Sequence, residues 1–577
     1  MRSPGGAGGR WLTSLPGVRT ILGYQPGWLG SDVGAGLVLT ALLVPQGMAY
    51  AELAGLPAVT GLYTTVLALA AYAVFGPSRV LVLGPDSALA PLIAAAVVPL
   101  AAGDPVQAVS LAAALALLTG AVCVGTGLAR LGTITELLSK PVRVGYINGI
   151  AIVVLVSQLP KLLGFSTGAD GFVAEVAAVM SGVGAGRMDA IATGLGIGSL
   201  SIILMARRLS PRIPGVLVAT VAATLAVSAL DLSADGISVV GPLPAGLPTP
   251  ALPRIGVDDL VSLGVAAVGI AVVAFADTAA LSTTFAAKLG DPVDANKEIA
   301  ALGAANLAAG LFQGFPMSAS SSRTAVADAV GSKTQLTGVI GAVSIVGLLV
   351  FANDLLANLP SATLAAIVIV ASFALFDLDE MRWLWDVRRS EFVLSLAALL
   401  GVTLAGVLEG LAIAIGLSLG NFVRRAWRPH DAVLGRIEGL RGYHDVERHP
   451  EAVQIPGLVI FRFDAPMFFA NAQHFQRRLA RVIRATGGSV RWVVVAAEPV
   501  TDIDTTAAET LREILDEFDA RDIHLAFAEL KGPVKDRLRT YGLYDRIGDE
   551  HFHPTLGRAT SEYVRASGVR WDDWTDR

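Results

Sequence analysis

Up to about residue 428, apolar runs of roughly 17 to 25 residues recur, and each is long enough to cross a bilayer core as a helix. In hydrocarbon, every backbone N–H and C=O must find its partner inside the chain, so runs of this length fold as helices. The chain has 577 residues, 16% of them charged, and a mean hydropathy of +0.62. A soluble domain carries about 25% charged residues, and that density returns only beyond residue 430. The sequence therefore divides into an N-terminal tail (1–28), a membrane domain (29–428), a linker (429–445) and a soluble domain (446–570).

Fourteen crossings or half-crossings are expected. The first seven fall at 31–52, 58–76, 84–99, 107–128, 141–160, 188–207 and 212–231. The second seven fall at 258–286, 294–313, 320–331, 335–353, 362–378, 391–408 and 411–427. The apolar stretch 170–183 is too short to span and reads as an interfacial helix. The N-terminus lacks the apolar core of a signal peptide, so both termini are expected in the cytoplasm of a cell-membrane protein. Lys and Arg placement supports that orientation. Nineteen, from Arg2 to Arg428, fall on one side, against Lys161, Arg187 and Arg254 on the other. Arg323 alone, inside the tenth expected span, is counted on neither side.

The third and tenth spans are odd in matching ways. One begins "GPDSALAP" and the other "FPMSASSSRT"; both are short, open with a proline and carry small hydroxyl residues. Interrupted short segments at corresponding positions of two halves point to an inverted-repeat transporter with a midplane site. A helix that begins mid-membrane aims free N–H groups and the positive end of its dipole into that site. Pro85 and Pro316 suit such helix starts, since proline needs no N–H there. Two facing N-termini attract an anion.

A charge at the bilayer centre costs about 2.5 kcal/mol or more unless it faces a polar cavity or a partner. Arg323, beside Ser318, Ser320, Ser321 and Ser322, reads as the cation of an anion pocket. A second reading stays open, in which Arg323 pairs with Asp277 and locks two helices. Asp277, well inside the eighth span, is either a proton or cation site or a hydrogen-bonded structural carboxylate. Asp86 either caps a helix or enters the pocket in its protonated form. Gln46 and Tyr50 lie one turn apart on one helix face and offer neutral hydrogen bonds, although packing also explains Tyr50. Glu52 ends the first span and reaches toward the outer interface.

Other chemistry is thin. Cys123 is the single cysteine, so there is neither an intrachain disulfide nor a multi-thiolate metal site. All seven histidines lie beyond residue 429, and no cofactor motif, metal cluster or catalytic constellation is present, so an enzyme is not expected. A net charge of −5 gives no sign of nucleic-acid binding.

In the tail, "GLVIFRFDAPMFFANA" alternates like a strand pair and "HFQRRLARVIRAT" like an amphipathic helix. The strand "RWVVVAAEP", a turn at "VTDIDTTA", the helix "AAETLREILDEFDA", the strand "IHLAFAEL" and further helix follow. Alternating strands and helices make a small α/β domain. Asp504, Thr505 and Thr506 stand at a helix start, either as an ordinary cap or as a regulatory phosphate site.

Several long stretches together resemble the SulP family of anion transporters: "LVPQGMAYAELAGLPAVTGLY", "FGPSRVLVLGPDSALAPL", "ALGAANLAAGLFQGFPMSASSSRTAVADAVGSKTQLTG" and "LPSATLAAIVIVAS". The tail is similar to that family's STAS domain. The resemblance implies a polytopic α-helical membrane protein with a 7+7 inverted repeat. Spans 1–4 and 8–11 would form a core, and spans 5–7 and 12–14 a gate. It also implies an anion held between spans 3 and 10, elevator-like movement and a homodimer. By motif position Ser322 and Arg323, Gln46 and Tyr50, and Asp86 and Ser87 match the family's pocket. Asp277 matches an acidic position that serves cation coupling in sodium-dependent bicarbonate members. Those members carry a threonine four residues later, where this chain has Leu281, which favours protons over sodium. Asp504-Thr505 aligns with the Asp-Ser pair phosphorylated in soluble anti-sigma antagonists.

The expected activity is secondary active uptake of an inorganic anion, sulfate coupled to protons. Bicarbonate or a C4-dicarboxylate is the alternative within the same class, and a channel-like or anion-sensing protein regulated through its tail is the alternative outside it.

Overall fold

The computed structural model describes residues 16–132, 139–169, 171–209, 214–234, 236–244, 246–289, 294–486 and 489–571. The first fifteen residues of the expected tail, and Arg212 in an expected inner loop, lie outside them. The chain forms two compact units, Met1–Ser418 and Leu419–Arg577.

A helix stands at each of the fourteen expected positions. The first seven are α1 (Leu29–Leu53), α2 (Ala58–Phe75), α3 (Ala90–Ala101), α4 (Pro105–Leu128), α5 (Lys140–Leu162), α6 (Ala190–Leu209) and α7 (Gly215–Ala229). The second seven are α8 (Val257–Leu289), α9 (Ala295–Leu311), α10 (Ser321–Val330), α11 (Leu336–Phe351), α12 (Ser361–Leu375), α13 (Arg389–Ala405) and α14 (Val407–Trp427). Among the described residues, 8 helical segments are long and apolar enough to cross a membrane. The short helix Phe172–Gly184 matches the expected interfacial segment.

Packing in the membrane unit is reciprocal. Helix α4 lies against α8 and α9, as α11 lies against α1 and α2; α5 lies against α13, as α12 lies against α6. That exchange is what an inverted repeat produces, and it separates a core of α1–α4 and α8–α11 from a gate. Small residues let the backbones approach. A Cβ at Gly61 of α2 would fall 1.9 Å from the Gly47 oxygen of α1, so the two helices touch through bare backbone.

The third and tenth helices do not begin at Pro85 and Pro316 as expected. Residues Leu83–Gly84 (β1) and Ser318–Ala319 (β2) form an antiparallel pair, Leu83 opposite Ala319 and Gly84 opposite Ser318. Helix α3 then starts at Ala90, with Pro91 in its first turn, and α10 at Ser321. The physical reason is backbone satisfaction: two extended segments deep in the bundle pair with each other instead of leaving groups unbonded.

The soluble unit has one six-stranded sheet in the order β4-β3-β5-β6-β7-β8. Its strands are β3 (Asp431–Ile437), β4 (Leu440–Asp445), β5 (Leu458–Phe463), β6 (Trp492–Ala496), β7 (His524–Ala528) and β8 (Phe552–His553). Pairing is antiparallel from β4 to β5 and parallel from β5 to β8. Phe461, Phe463, Phe475, Leu511 and Phe527 fill one face, and Leu434, Ile460, Val494 and Tyr563 the other. Two expectations change here. Residues 431–445, read as a linker, form a hairpin whose turn uses Gly439 at φ +80, and Ala432 and Leu434 join the core. The stretch after Phe463 is no second strand: Asn471 accepts from Phe468 N–H (3.0 Å) and donates to the Pro466 oxygen (2.9 Å), closing a turn.

Candidate functional site

Arg323, the third residue of α10, is fully buried. Its Nη2 donates to the Pro85 carbonyl at 2.5 Å, while Nε and Nη1 have no partner among the described residues. Nη1 lies over Gly84, where a Cβ would stand only 2.9 Å from it. Glycine at 84 is thus what lets the guanidinium settle against β1. The register is fixed from both sides, because Ser320 N–H donates to the Val82 oxygen (3.0 Å) and Val82 N–H donates to Thr324 Oγ1 (3.1 Å).

Around this arginine the first intrahelical bond of α10 runs from Thr324 N–H to the Ser320 oxygen, at 3.0 Å. The N–H groups of Ser321, Ser322 and Arg323 precede it and face outward from the helix end. Ser320 is buried, with its hydroxyl 3.3 Å from that of Ser322; Ser321 and Ser322 are exposed. Asp86 closes the turn before α3 by accepting from Ala88 N–H at 2.9 Å, and it does not cap the helix itself. Its carboxylate and the Tyr50 hydroxyl are the charges and dipoles in electrostatic reach of Arg323. Tyr50 is also within hydrogen-bonding reach of Ser87. One turn earlier on α1, Gln46 buries an Oε1 that has no partner among the described residues. The structure therefore gathers Tyr50, Asp86, Ser87, Ser320 and Arg323, with Gln46 one turn away on α1.

Asp277 sits on α8 beside Thr278, whose hydroxyl accepts from Ala319 N–H at 3.3 Å. Its electrostatic neighbours are Asp86 and Arg143, and among the described residues no ion pair joins it to Arg323. Asp277 also faces Tyr146 of α5, whose buried hydroxyl has no partner among the described residues. A cleft of about 460 Å3, lined by Arg143 on α5 and by Ala276, Ala279 and Thr283 on α8, runs alongside.

Sequence reasoning missed the residues that fix the unwound stretch leading into this site. Asn306 on α9 accepts from Met317 N–H (3.0 Å) and donates to the Met317 oxygen (3.2 Å). Thr64 on α2 accepts from Phe315 N–H at 3.0 Å. These side chains replace the hydrogen bonds that the unwound stretch before α10 cannot make to itself. The signal was a lone polar residue in an apolar span, as in "AANLAAG" and "LYTTV". Two structural carboxylates were also missed. Asp32 accepts from Lys333 N–H (2.7 Å), Thr334 N–H (3.1 Å) and the Thr334 hydroxyl (2.8 Å). Glu298 accepts from Tyr72 (2.7 Å), Ser282 (2.6 Å) and Ser78.

In the tail, Asp504 caps the helix Thr505–Asp519 by accepting from Ala507 N–H at 2.8 Å, and it also accepts from Phe469 N–H at 2.8 Å. Thr505 beside it is exposed.

A bundle of reciprocally packed apolar helices, two short helices joined through a strand pair, and a separate α/β domain together define a multi-pass membrane transporter with a soluble tail. The model of the sulfate permease family matches residues 29–398, and that of the STAS domain matches residues 449–559. The chain belongs to the sulfate permease family. A probable sulfate transporter of Mycobacterium tuberculosis is 44% identical over 550 residues, which is 95% of this chain and 98% of the relative. The murine solute carrier 26 family member A9 anion transporter, solved in an inward-facing state, is similar in fold. Its TM-score is 0.89 at 20% identity, over 98% of this chain and 96% of that one. The transmembrane domain of a cyanobacterial bicarbonate transporter, BicA, matches 68% of this chain and 99% of its own length, with a TM-score of 0.59 at 24% identity.

Proposed function

We propose that this protein is a secondary active carrier that takes up sulfate together with protons, moving its core against its gate in an elevator-type cycle. The observation that carries this reading is Arg323: fully buried, held by one backbone carbonyl, with Nε and Nη1 unpaired among the described residues. A buried guanidinium left with free donors is costly unless an anion completes it. Ser320, Tyr50, Ser87 and the first-turn N–H groups of α10 supply neutral donors around that anion, with Ser321, Ser322 and Gln46 at its margin. Asp86 accepts the anion only in its protonated form. Such a pocket reads charge and size, and sulfate is favoured because the 44%-identical relative is named a probable sulfate transporter.

Asp277 is the proposed coupling residue. Its electrostatic neighbours are Asp86 on the site and Arg143, which lines the cleft along α8, and a proton on Asp277 would exchange through that cleft as the cycle proceeds. The carrier is proposed to act as a homodimer in the plasma membrane, with both termini cytoplasmic. Asp504 and exposed Thr505 form a proposed regulatory position on the tail. The test is labelled sulfate uptake into proteoliposomes in sodium-free buffer, with and without a pH gradient acidic outside. Uptake should follow the gradient and vanish in Arg323→Ala; sulfate uptake indifferent to both defeats the proposal.

A further inference from the structure

A cavity of about 940 Å3 in the membrane unit, lined by residues other than those gathered around Arg323, begins two residues past Tyr50 on α1, at the face that the Lys and Arg distribution marks as outer. It opens between Glu52 at the end of core helix α1 and a gate wall that includes Lys161, Arg187, Asp189, Ser238 and Ser361. Its charges are not equivalent. Glu52 and Lys161 face each other at 3.7 Å across the core–gate seam. Asp189 is committed to α6, whose first turn it caps by accepting from Ala192 N–H at 2.7 Å. Arg187 makes no ion pair among the described residues; its guanidinium is held 5.8 Å over the Phe165 ring. A ring face restrains a guanidinium without using its N–H donors, and Arg187 is part of the cavity lining. The Ser238 and Ser361 hydroxyls, 3.2 Å apart, add neutral donors on the same wall.

We infer that this cavity is a second, outer binding site for the transported oxyanion, in which Arg187 captures the anion and Lys161 leaves Glu52 to join it. Lys161 and Arg187 balance Glu52 and Asp189 in formal charge, but Glu52 is engaged by Lys161 and Asp189 by the N-terminus of α6, worth about half a positive charge, so Arg187 is the cation left to meet an anion. The exchange at Lys161 has a mechanical consequence. The Glu52–Lys161 pair ties a core helix to a gate helix, and an arriving anion that takes Lys161 unties the outer seam at the moment substrate is present. This inference rests on the anion-carrier reading of the Arg323 site.

The chain's single cysteine, Cys123, is buried, which allows a readout independent of transport. Ser238→Cys in the full-length protein is labelled from the outer side with methanethiosulfonates carrying a sulfonate or a trimethylammonium group. The anionic reagent should react about threefold faster or more, and millimolar sulfate should slow it. Arg187→Gln should abolish both effects, Arg187→Lys should keep the charge preference, and Glu52→Gln should let sulfate protect at lower concentration. Faster labelling by the cationic reagent, no protection by sulfate, or full protection in Arg187→Gln overturns the inference. Sulfate uptake on the same preparation separates the two claims. Protection without uptake upholds the outer site and fails the carrier reading, whereas uptake without protection fails the outer site alone.

Discussion

Replacing Asn306 by alanine tests whether buried polar side chains fix the stretch that leads into the site. Asn306 is fully buried and makes both bonds to Met317, at 3.0 Å and 3.2 Å, with a third to the Leu302 oxygen at 3.0 Å. Alanine leaves the Met317 N–H and C=O unpartnered in a water-poor interior, where each orphaned group costs about 1–3 kcal/mol. Polar contacts between membrane helices recover part of such losses through substitute partners, so a net cost of about 2–4 kcal/mol is expected. In a chain this long, that lowers the apparent melting temperature by about 2–6 °C. Because β2 leads directly into α10, sulfate affinity should fall in parallel. Asn306→Asp keeps the acceptor for Met317 N–H and loses the donor, so it should fall between wild type and alanine. Thermal unfolding of the purified protein with and without sulfate reads both effects. Unchanged melting and unchanged sulfate stabilisation in Asn306→Ala would refute the reasoning.

Three further outcomes follow from particular contacts. Gly84→Ala places a Cβ 2.9 Å from Arg323 Nη1 and should displace the guanidinium, weakening sulfate binding on the order of tenfold with the fold intact; wild-type affinity would show that the guanidinium does not need that position. Asp277→Asn should still bind sulfate but lose the response of uptake to a pH gradient, and full gradient-driven uptake in that variant removes Asp277 from coupling. In the soluble tail, burial pushes the His553 imidazole below its ordinary value, against a weaker opposing pull from Glu562. The unfolded chain then binds the proton first, so stability is present above about pH 6.5 and declines as pH falls through the folded-state value. Amide exchange of β8 and the helix Leu556–Ser567 should therefore quicken between pH 7.5 and 5.5, and His553→Gln should blunt the change; an equal acid response in the variant excludes this residue.

What was legible in the sequence follows physical length scales. A run of about twenty apolar residues announces a helix, and each long run produced one within a few residues of its expected ends. A lone arginine among serines in an apolar stretch also stood out in the sequence, and the structure buries it fully. Two-residue strands carry no periodicity, so β1 and β2 were invisible and their flanking prolines were taken for helix starts. Asn306, Thr64 and Thr278 sat inside runs read only for hydropathy. Their partners are backbone groups up to 251 residues away in sequence, which no local pattern encodes. Asp32 was passed over for a similar reason: its three bonds to Lys333 and Thr334 cross about three hundred residues. The hairpin at 431–445 looked like a linker because its polar and charged residues outnumber the few that reach the cores, Ala432, Val433, Leu434 and Tyr443 among them.

The central claim is that Arg323 binds the transported anion, and equilibrium binding of labelled sulfate to the purified protein tests it without depending on coupling, orientation or turnover. Wild type should bind sulfate saturably, and Arg323→Ala should lose that binding while its melting profile in the absence of sulfate stays close to wild type. Saturable binding of equal affinity in a folded Arg323→Ala protein would contradict the claim.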